Sequence, residues 1–180
     1  MIASDNATAY PIPRFTIIYC TADGSAKCSP NISECKGSVD ATKDAVLDNL
    51  TGLLWLRDAN HNPGGTAGKD TWANQGTYIT DTLNNTSKRC GYTDWRMPTR
   101  AEFASLVDDR YSSPAIPNTA GTAKWTANAP FVNLQNSRYW SSTTFAGDTT
   151  YAWFVTMTYG YVDAALKTNS NYTLPVRSGL

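Results

Sequence analysis

The segment Gly91-Tyr92-Thr93-Asp94-Trp95-Arg96-Met97-Pro98-Thr99, continuing into Arg100-Ala101-Glu102-Phe103, constrains the fold more than any other part of the 180-residue chain. Thr99 and Glu102 have capping-box spacing, in which the hydroxyl accepts from the third helical amide and the carboxylate reaches back to the cap. Pro98 keeps the residue before it extended, so Asp94 to Met97 should arrive as a strand or tight loop. Phe103, Leu106 and Val107 then share one face of a helix running from Arg100 to about Asp109. Trp95 reads as core. The charges on either side of it, Asp94 and Arg96, read as a structural ion pair or as tethers for the loop.

Around this anchor the chain alternates short apolar runs with polar loops. Residues 1–40 hold Pro11, Pro13, Pro30, Gly24, Gly37 and three cysteines. They read as an extended arm with a short strand at Phe15 to Tyr19. A second short strand is expected at Ala45 to Leu47, a turn at Thr51-Gly52, and a buried strand at Leu53 to Leu56, a run too short for a helix. His61 to Asp70 is a loop. Trp72 opens a helix with Trp72, Gly76, Ile79 and Leu83 along one face, ending near Asn84-Asn85-Thr86. From Tyr111 to Asn136 no period holds, so long loops follow. The last third reads as strands at Tyr139–Thr143, Tyr151–Tyr159, Gly160–Leu166 and Tyr172–Arg177, joined by turns at Ala146-Gly147-Asp148 and 168–171. Two helices followed by a strand meander make an α+β arrangement.

The totals exclude several function classes. Formal net charge is zero and only 17% of residues are charged, which leaves no basic face for nucleic acid. No apolar run approaches the ~20 residues of a membrane span. Met1 to Asp5 reads as a mature start behind an added methionine, with the export signal removed. Of the four cysteines, Cys20, Cys28 and Cys35 are close together and Cys90 is distant. One or two disulfides stapling the N-terminal arm are expected, and four cysteines leave three pairings open. No Cys-x-x-Cys occurs, and His61 stands alone, so neither a zinc site nor a Ser–His–acid triad on Ser141, Ser142 or Thr143 is expected. The expectation is a non-enzyme with no metal and no cofactor. Asp108-Asp109 reads as a solvated helix end.

Four blocks also occur in a known order: Asp48 to Trp55; Tyr92 to Thr99 with Glu102; Tyr139-Trp140-Ser141-Ser142-Thr143; and Ala152-Trp153-Phe154-Val155 leading to Pro175-Val176-Arg177. Together they closely resemble the Lcl C-terminal domain family, named after a bacterial collagen-like adhesin. The resemblance covers residues 45–180 and leaves 1–44 as a cysteine-bearing arm. It implies a C-type-lectin-like fold, related to that of the formylglycine-generating enzymes, and a role in binding or adhesion at a cell or particle surface. It also leaves room for a homo-oligomer. Many relatives carry Cys where Pro175 stands, so a bond from Cys90 to the C-terminal strand is ruled out here. Cys90 is free or pairs with Cys20, Cys28 or Cys35. The enzyme relatives use cysteines in their C-terminal half, and none follows Cys90. The Glu-Pro-Asn, Gln-Pro-Asp and Trp-Asn-Asp signatures of calcium-dependent lectins are absent.

The candidate binding face is Arg138 to Tyr172, which holds five of the ten tyrosines. A plain antiparallel sheet with Tyr and Thr on its outer face would look the same. A paratope-like face, with Tyr as anchor and Ser, Asn and Asp as adaptable hydrogen-bonders, is the functional reading. Its contact residues are Tyr139, Phe145, Tyr151, Tyr159, Tyr161, Asp163, Asn169, Asn171 and Tyr172, above a scaffold of Trp95, Trp140 and Trp153 in the core. The partner is a protein or glycan on another surface, met outside a cell or on a virion. Charges are few here, so a polyanion is a poor ligand. The composition also resembles the variable region of lectin-fold proteins diversified by retroelements.

Overall fold

The fold is built on two antiparallel sheets, one reaching back to Phe15 and the other carrying the candidate face. The computed structural model describes residues 13–21, 41–62, 67–127 and 129–179. The first sheet joins β1 (Phe15–Ile18), β2 (Ala45–Asp48), β3 (Leu54–Leu56) and β7 (Val176–Arg177) in the order β1-β2-β3-β7. Phe15 lies opposite Asp48, Val46 opposite Trp55, and Trp55 opposite Val176. Every residue of β3 is fully buried, because the sheet is covered on both faces. Trp55 joins Phe15, Val46 and Phe103 on one side. Leu54 and Leu56 join Ile79, Leu83, Trp95 and Trp140 on the other.

The β2–β3 turn forms as expected. Asp48 accepts from Leu50 N and from Thr51 Oγ1, and Gly52 closes the turn at φ +72°. The same carboxylate takes both prongs of the Arg14 guanidinium at 2.7 and 2.9 Å, in a pair with no exposed surface. Arg14 also donates to Ser105 O. So part of the segment read as an arm supplies an outer strand and core side chains. Cys20 bonds to Cys90, one of the pairings left open, which ties this segment to the loop ahead of Trp95. Cys28 and Cys35 lie outside the described residues.

Two short helices flank the sheets, α1 (Trp72–Tyr78) and α2 (Arg100–Ala104). After α1 the chain continues as a wider π-helical stretch, Ile79–Ser87, that buries Ile79 and Leu83. The capping box of α2 is complete, with Glu102 N on Thr99 Oγ1 at 3.2 Å and Thr99 N on Glu102 Oε2 at 2.8 Å. Met97 and Trp95 are buried, and Arg96 bridges Val176. Of the two readings of Asp94 and Arg96, the structure takes the tethers: they do not pair with each other, but Asp94 binds Arg177 at 2.7 Å and Arg96 binds Glu102 at 2.6 Å. Two expectations fail in this region. The helix stops at Ala104, five residues early. Asp108 is not a solvated end but a buried carboxylate chelating Arg110. Among the described residues, no helix is long and apolar enough to cross a membrane.

The second sheet is β4 (Arg138–Thr144), β5 (Tyr151–Thr156) and β6 (Val162–Leu166), with a register irregularity between Trp140 and Thr144. β5 and β6 are shorter than expected because the chain turns at Met157 to Tyr161. Tyr172 to Pro175 does not extend β7. Instead Tyr172 and Thr173 run beside β4, with Trp140 N donating to Tyr172 O at 2.7 Å, and Pro175 O accepts from Leu56 N of β3 at 2.9 Å.

Candidate functional site

The β5–β6 connection presents two aromatic side chains to solvent. Tyr159 and Tyr161 are 60% and 59% exposed, and their rings lie 5.9 Å apart at 14° to one another. Their backbone is held from several directions. Gly160 N donates to Thr156 O at 2.7 Å and Thr156 N to Tyr161 O at 2.9 Å, closing the turn. Ser113 N and Ala115 N donate to Thr158 O and Met157 O, and Met157 N donates to Ser137 O. Gly160 is required at the apex. It sits at φ +82°, and a Cβ there would stand 2.4 Å from Val107 Cγ1. The tip is therefore seated on the chain leaving α2 and on the 113–115 segment. Just ahead of that segment stands Arg110, whose guanidinium lies 5.4 Å from the Tyr111 ring.

Exposure divides the nine expected contact residues into three groups. Tyr159 and Tyr161 form the tip, and Asp163 follows them exposed on β6, accepting from Ala164 N at 2.7 Å. Phe145, Tyr151 and Asn169 lie at the other end of the sheet, about 17 Å away at ~3.3 Å per strand residue. There the Phe145 ring meets Trp153 edge-on at 5.4 Å, and Arg100 lies 4.5 Å over Trp153. The third group is a correction. Tyr139, Asn171 and Tyr172 are interior, at 0%, 6% and 6% exposure. Tyr139 donates to Ala59 O at 3.2 Å, accepts from Gln135 N at 2.9 Å and stacks on Tyr172 at 5.2 Å. Burial drives its phenol pKa upward. The backbone of Asn171 exchanges hydrogen bonds with Asp70, and its carbonyl accepts from Gln75 Nε2. These three hold the scaffold and are not a contact surface.

Trp153 also departs from expectation. Trp95 and Trp140 are buried, but Trp153 is only half-buried between Phe145 and Arg100. Sequence reading passed over Arg100 and Arg138. Arg138 is exposed, with its guanidinium 4.8 Å from the Phe154 ring on the face that Tyr161 and Asp163 share. Their alternation along β4 and β6 was the available signal.

His61 is interior, with its ring 5.5 Å from that of Tyr78 and its carbonyl accepting from Tyr78 Oη at 2.9 Å. Burial, and after it the Arg89 charge, lowers its pKa to about 3, so the imidazole is neutral near pH 7. Glu102 is held at about 2 chiefly by its hydrogen bonds to Arg96.

The family model of the Lcl C-terminal domain matches residues 44–177, well over half of the chain. This match is consistent with a surface recognition or structural module. No curated protein matches the chain.

Proposed function

The chain belongs to the Lcl C-terminal domain family, and from that premise we propose that it is a non-catalytic recognition domain of the C-type-lectin-like fold, binding a protein or glycan through Tyr159 and Tyr161. The observation that carries this reading is the stacked, exposed tyrosine pair on a hairpin fixed by Gly160 and by hydrogen bonds to the 113–115 segment. A buried tyrosine removes ~150–250 Å² from water, and a side chain already ordered loses little entropy on binding. Arg110 and Tyr111 on one flank and Arg138 and Asp163 on the other supply polar groups around the rings.

Display outside a cell or on a virion is part of the proposal. The Cys20–Cys90 bond supports it, because disulfides persist in oxidising compartments. Diversification by a retroelement is a further part, supported by the Tyr, Ser, Asn and Asp bias between Arg138 and Tyr172. Deep sequencing of the locus should find substitutions at Tyr159, Tyr161, Asp163 and Asn169, while Tyr139, Trp140 and Tyr172 stay fixed. Uniform low variation would remove that part alone.

The direct test is an array of glycans and surface proteins probed with the native chain, Tyr159→Ala and Tyr161→Ala. Each substitution should weaken binding at least tenfold, as ~1.4 kcal/mol requires, and leave the melting temperature nearly unchanged. Full binding by both variants would overturn the assignment.

A further inference from the structure

We propose that the corner where Arg100 lies over Trp153 binds a carboxylate carried on a small apolar body. The corner stands at the end of the second sheet away from the Tyr159–Tyr161 tip, and the inference does not depend on the reading of that tip. Tyr151, Trp153 and Val155 of β5 share a sheet face with Leu166, Ala164 and Val162 of β6, their cross-strand partners. At one end of this face Val155 and Val162 pack in the same cluster as Phe103 of α2. At the other end the face stays open. Tyr151, Trp153 and Ala164 are only partly buried there, and Leu166 is 41% exposed. Phe145 closes one side, with its ring edge-on to Trp153 at 5.4 Å and its N–H on Tyr151 O at 3.0 Å.

Arg100 supplies the charge. Its backbone is pinned to the sheet, since Arg100 N donates to Thr143 Oγ1 at 3.0 Å and Ser142 N to Pro98 O at 2.7 Å. Its guanidinium lies 4.5 Å from the Trp153 ring. Among the described residues that guanidinium makes no hydrogen bond and no ion pair. The acids close by in sequence are engaged elsewhere, Glu102 with Arg96 at 2.6 Å and Asp148 with Thr150 Oγ1 at 2.7 Å. Lys167, also at this end of the sheet, donates to Thr144 Oγ1 at 2.9 Å and lies over Trp72. A guanidinium resting on an aromatic face keeps its N–H fork free, in the geometry that holds a carboxylate through two parallel bonds. One such cation matches a singly charged carboxylate better than a phosphate, which carries nearly two charges.

The open floor sets the size of the body. Neighbouring strands stand ~4.8 Å apart and same-face residues ~6.6 Å apart along a strand, so Phe145, Tyr151, Trp153, Ala164 and Leu166 floor a patch of about 10 by 7 Å. That patch takes one ring and falls far short of the ~800 Å² per partner of a stable protein interface. Ala164 is the smallest of the five and lies between Trp153 and Leu166, so a flat ring finds room over it. Such a ring covers Leu166 and the open part of Trp153 while its carboxylate meets Arg100.

The test is a heteronuclear NMR titration of the full chain with phenylacetate, phenylacetamide and acetate, each taken to roughly 10 mM. Phenylacetate should shift the Trp153 indole and the Ala164 and Leu166 amides. Phenylacetamide, which lacks the charge, and acetate, which lacks the ring, should each bind at least tenfold more weakly. Arg100→Gln should weaken the phenylacetate response by the same factor, and a thermal melt checks that this variant stays folded. Tyr159→Ala should respond as the native chain does, which keeps the outcome here separate from that at the tip. No shift with phenylacetate, or equal binding of either control, would overturn the inference. So would a peptide ending in phenylalanine that binds where phenylacetate does not, because the carboxylate would then belong to a macromolecule.

Discussion

Gly160→Ala measures how firmly the tyrosine tip is seated. Gly160 has φ +82°, where an L side chain crowds its own backbone at a cost of ~1–2 kcal/mol. The new methyl would also stand 2.4 Å from Val107 Cγ1 and 3.3 Å from Ala115 Cβ. Val107 is β-branched and stiff at χ1, and Ala115 is fully buried, so neither yields freely. Overpacking of this kind adds ~1–3 kcal/mol. The sum is about 2–5 kcal/mol, a large part of the ~5–15 that holds a domain together. At ~2–4 °C per kcal/mol, a loss of ~3 kcal/mol lowers the melting temperature by roughly 6–12 °C. Thermal and guanidinium unfolding of Gly160→Ala, Val107→Ala and the double variant make the assay. The Val107 truncation opens room for the methyl and should recover the packing part, leaving the φ part. That gives a favourable coupling of ~1–3 kcal/mol in the double-mutant cycle. A Gly160→Ala protein that melts with the native chain would refute the reasoning, because the tip would then lift off α2 without cost.

Trp140→Ala should cost ~3–5 kcal/mol, as truncation of a buried Trp does, and Trp153→Ala clearly less, because Trp153 is only partly buried, beneath Arg100. Equal losses in denaturant titrations would return Trp153 to the core. Asp48→Ala strands the buried Arg14 charge and should cost ~3–5 kcal/mol, whereas Arg14→Met with Asp48→Leu should lose much less; a double variant no better than the single would refute this. Cys20→Ser should cost ~4 kcal/mol by chain entropy, given the 70-residue separation from Cys90, and identical melting with and without reductant would contradict it. His61 is held at about 3 when folded against 6.5 as its ordinary value. The unfolded chain therefore binds the extra proton between those values, and stability falls as pH drops from 6.5 toward 3, by ~2 kcal/mol at pH 5. His61→Phe should flatten that slope, and a native melting temperature constant from pH 7 to 5 would exclude the effect.

Local chemistry made much of the fold legible. The capping box of Thr99 and Glu102, the turn at Gly52 and the apolar run of β3 each specify their structure through neighbours in sequence. Contacts between distant segments did not read as easily. Asp94 and Arg96 flank Trp95, so once the indole turns inward both charges face outward. Each then takes the oppositely charged side chain that the fold delivers: Arg177 from β7 and Glu102 from the capping box. The Cys20–Cys90 bond is of the same kind, since nothing local distinguishes Cys20 from Cys28 or Cys35.

The tyrosines were hardest to sort, and β5 explains why. Alternation assigns inside and outside only when one face of a strand meets water. On β5, Ala152 and Phe154 pack into one cluster while Val155 and the following Met157 pack into the other. Both faces are covered, and the period-2 pattern carries no sign. Tyrosine adds to the ambiguity, because its ring suits the core and its hydroxyl needs only one or two partners. Tyr139 finds them in Ala59 O and Gln135 N. What separates Tyr139 from Tyr159 and Tyr161 is not residue type but the turn at Gly160. That turn presses the glycine against Val107 and leaves its two neighbours no interior to enter. A glycine between two tyrosines at a strand-to-strand junction is visible in a sequence. It becomes a prediction of exposed rings only once the packing partner beneath the glycine is known.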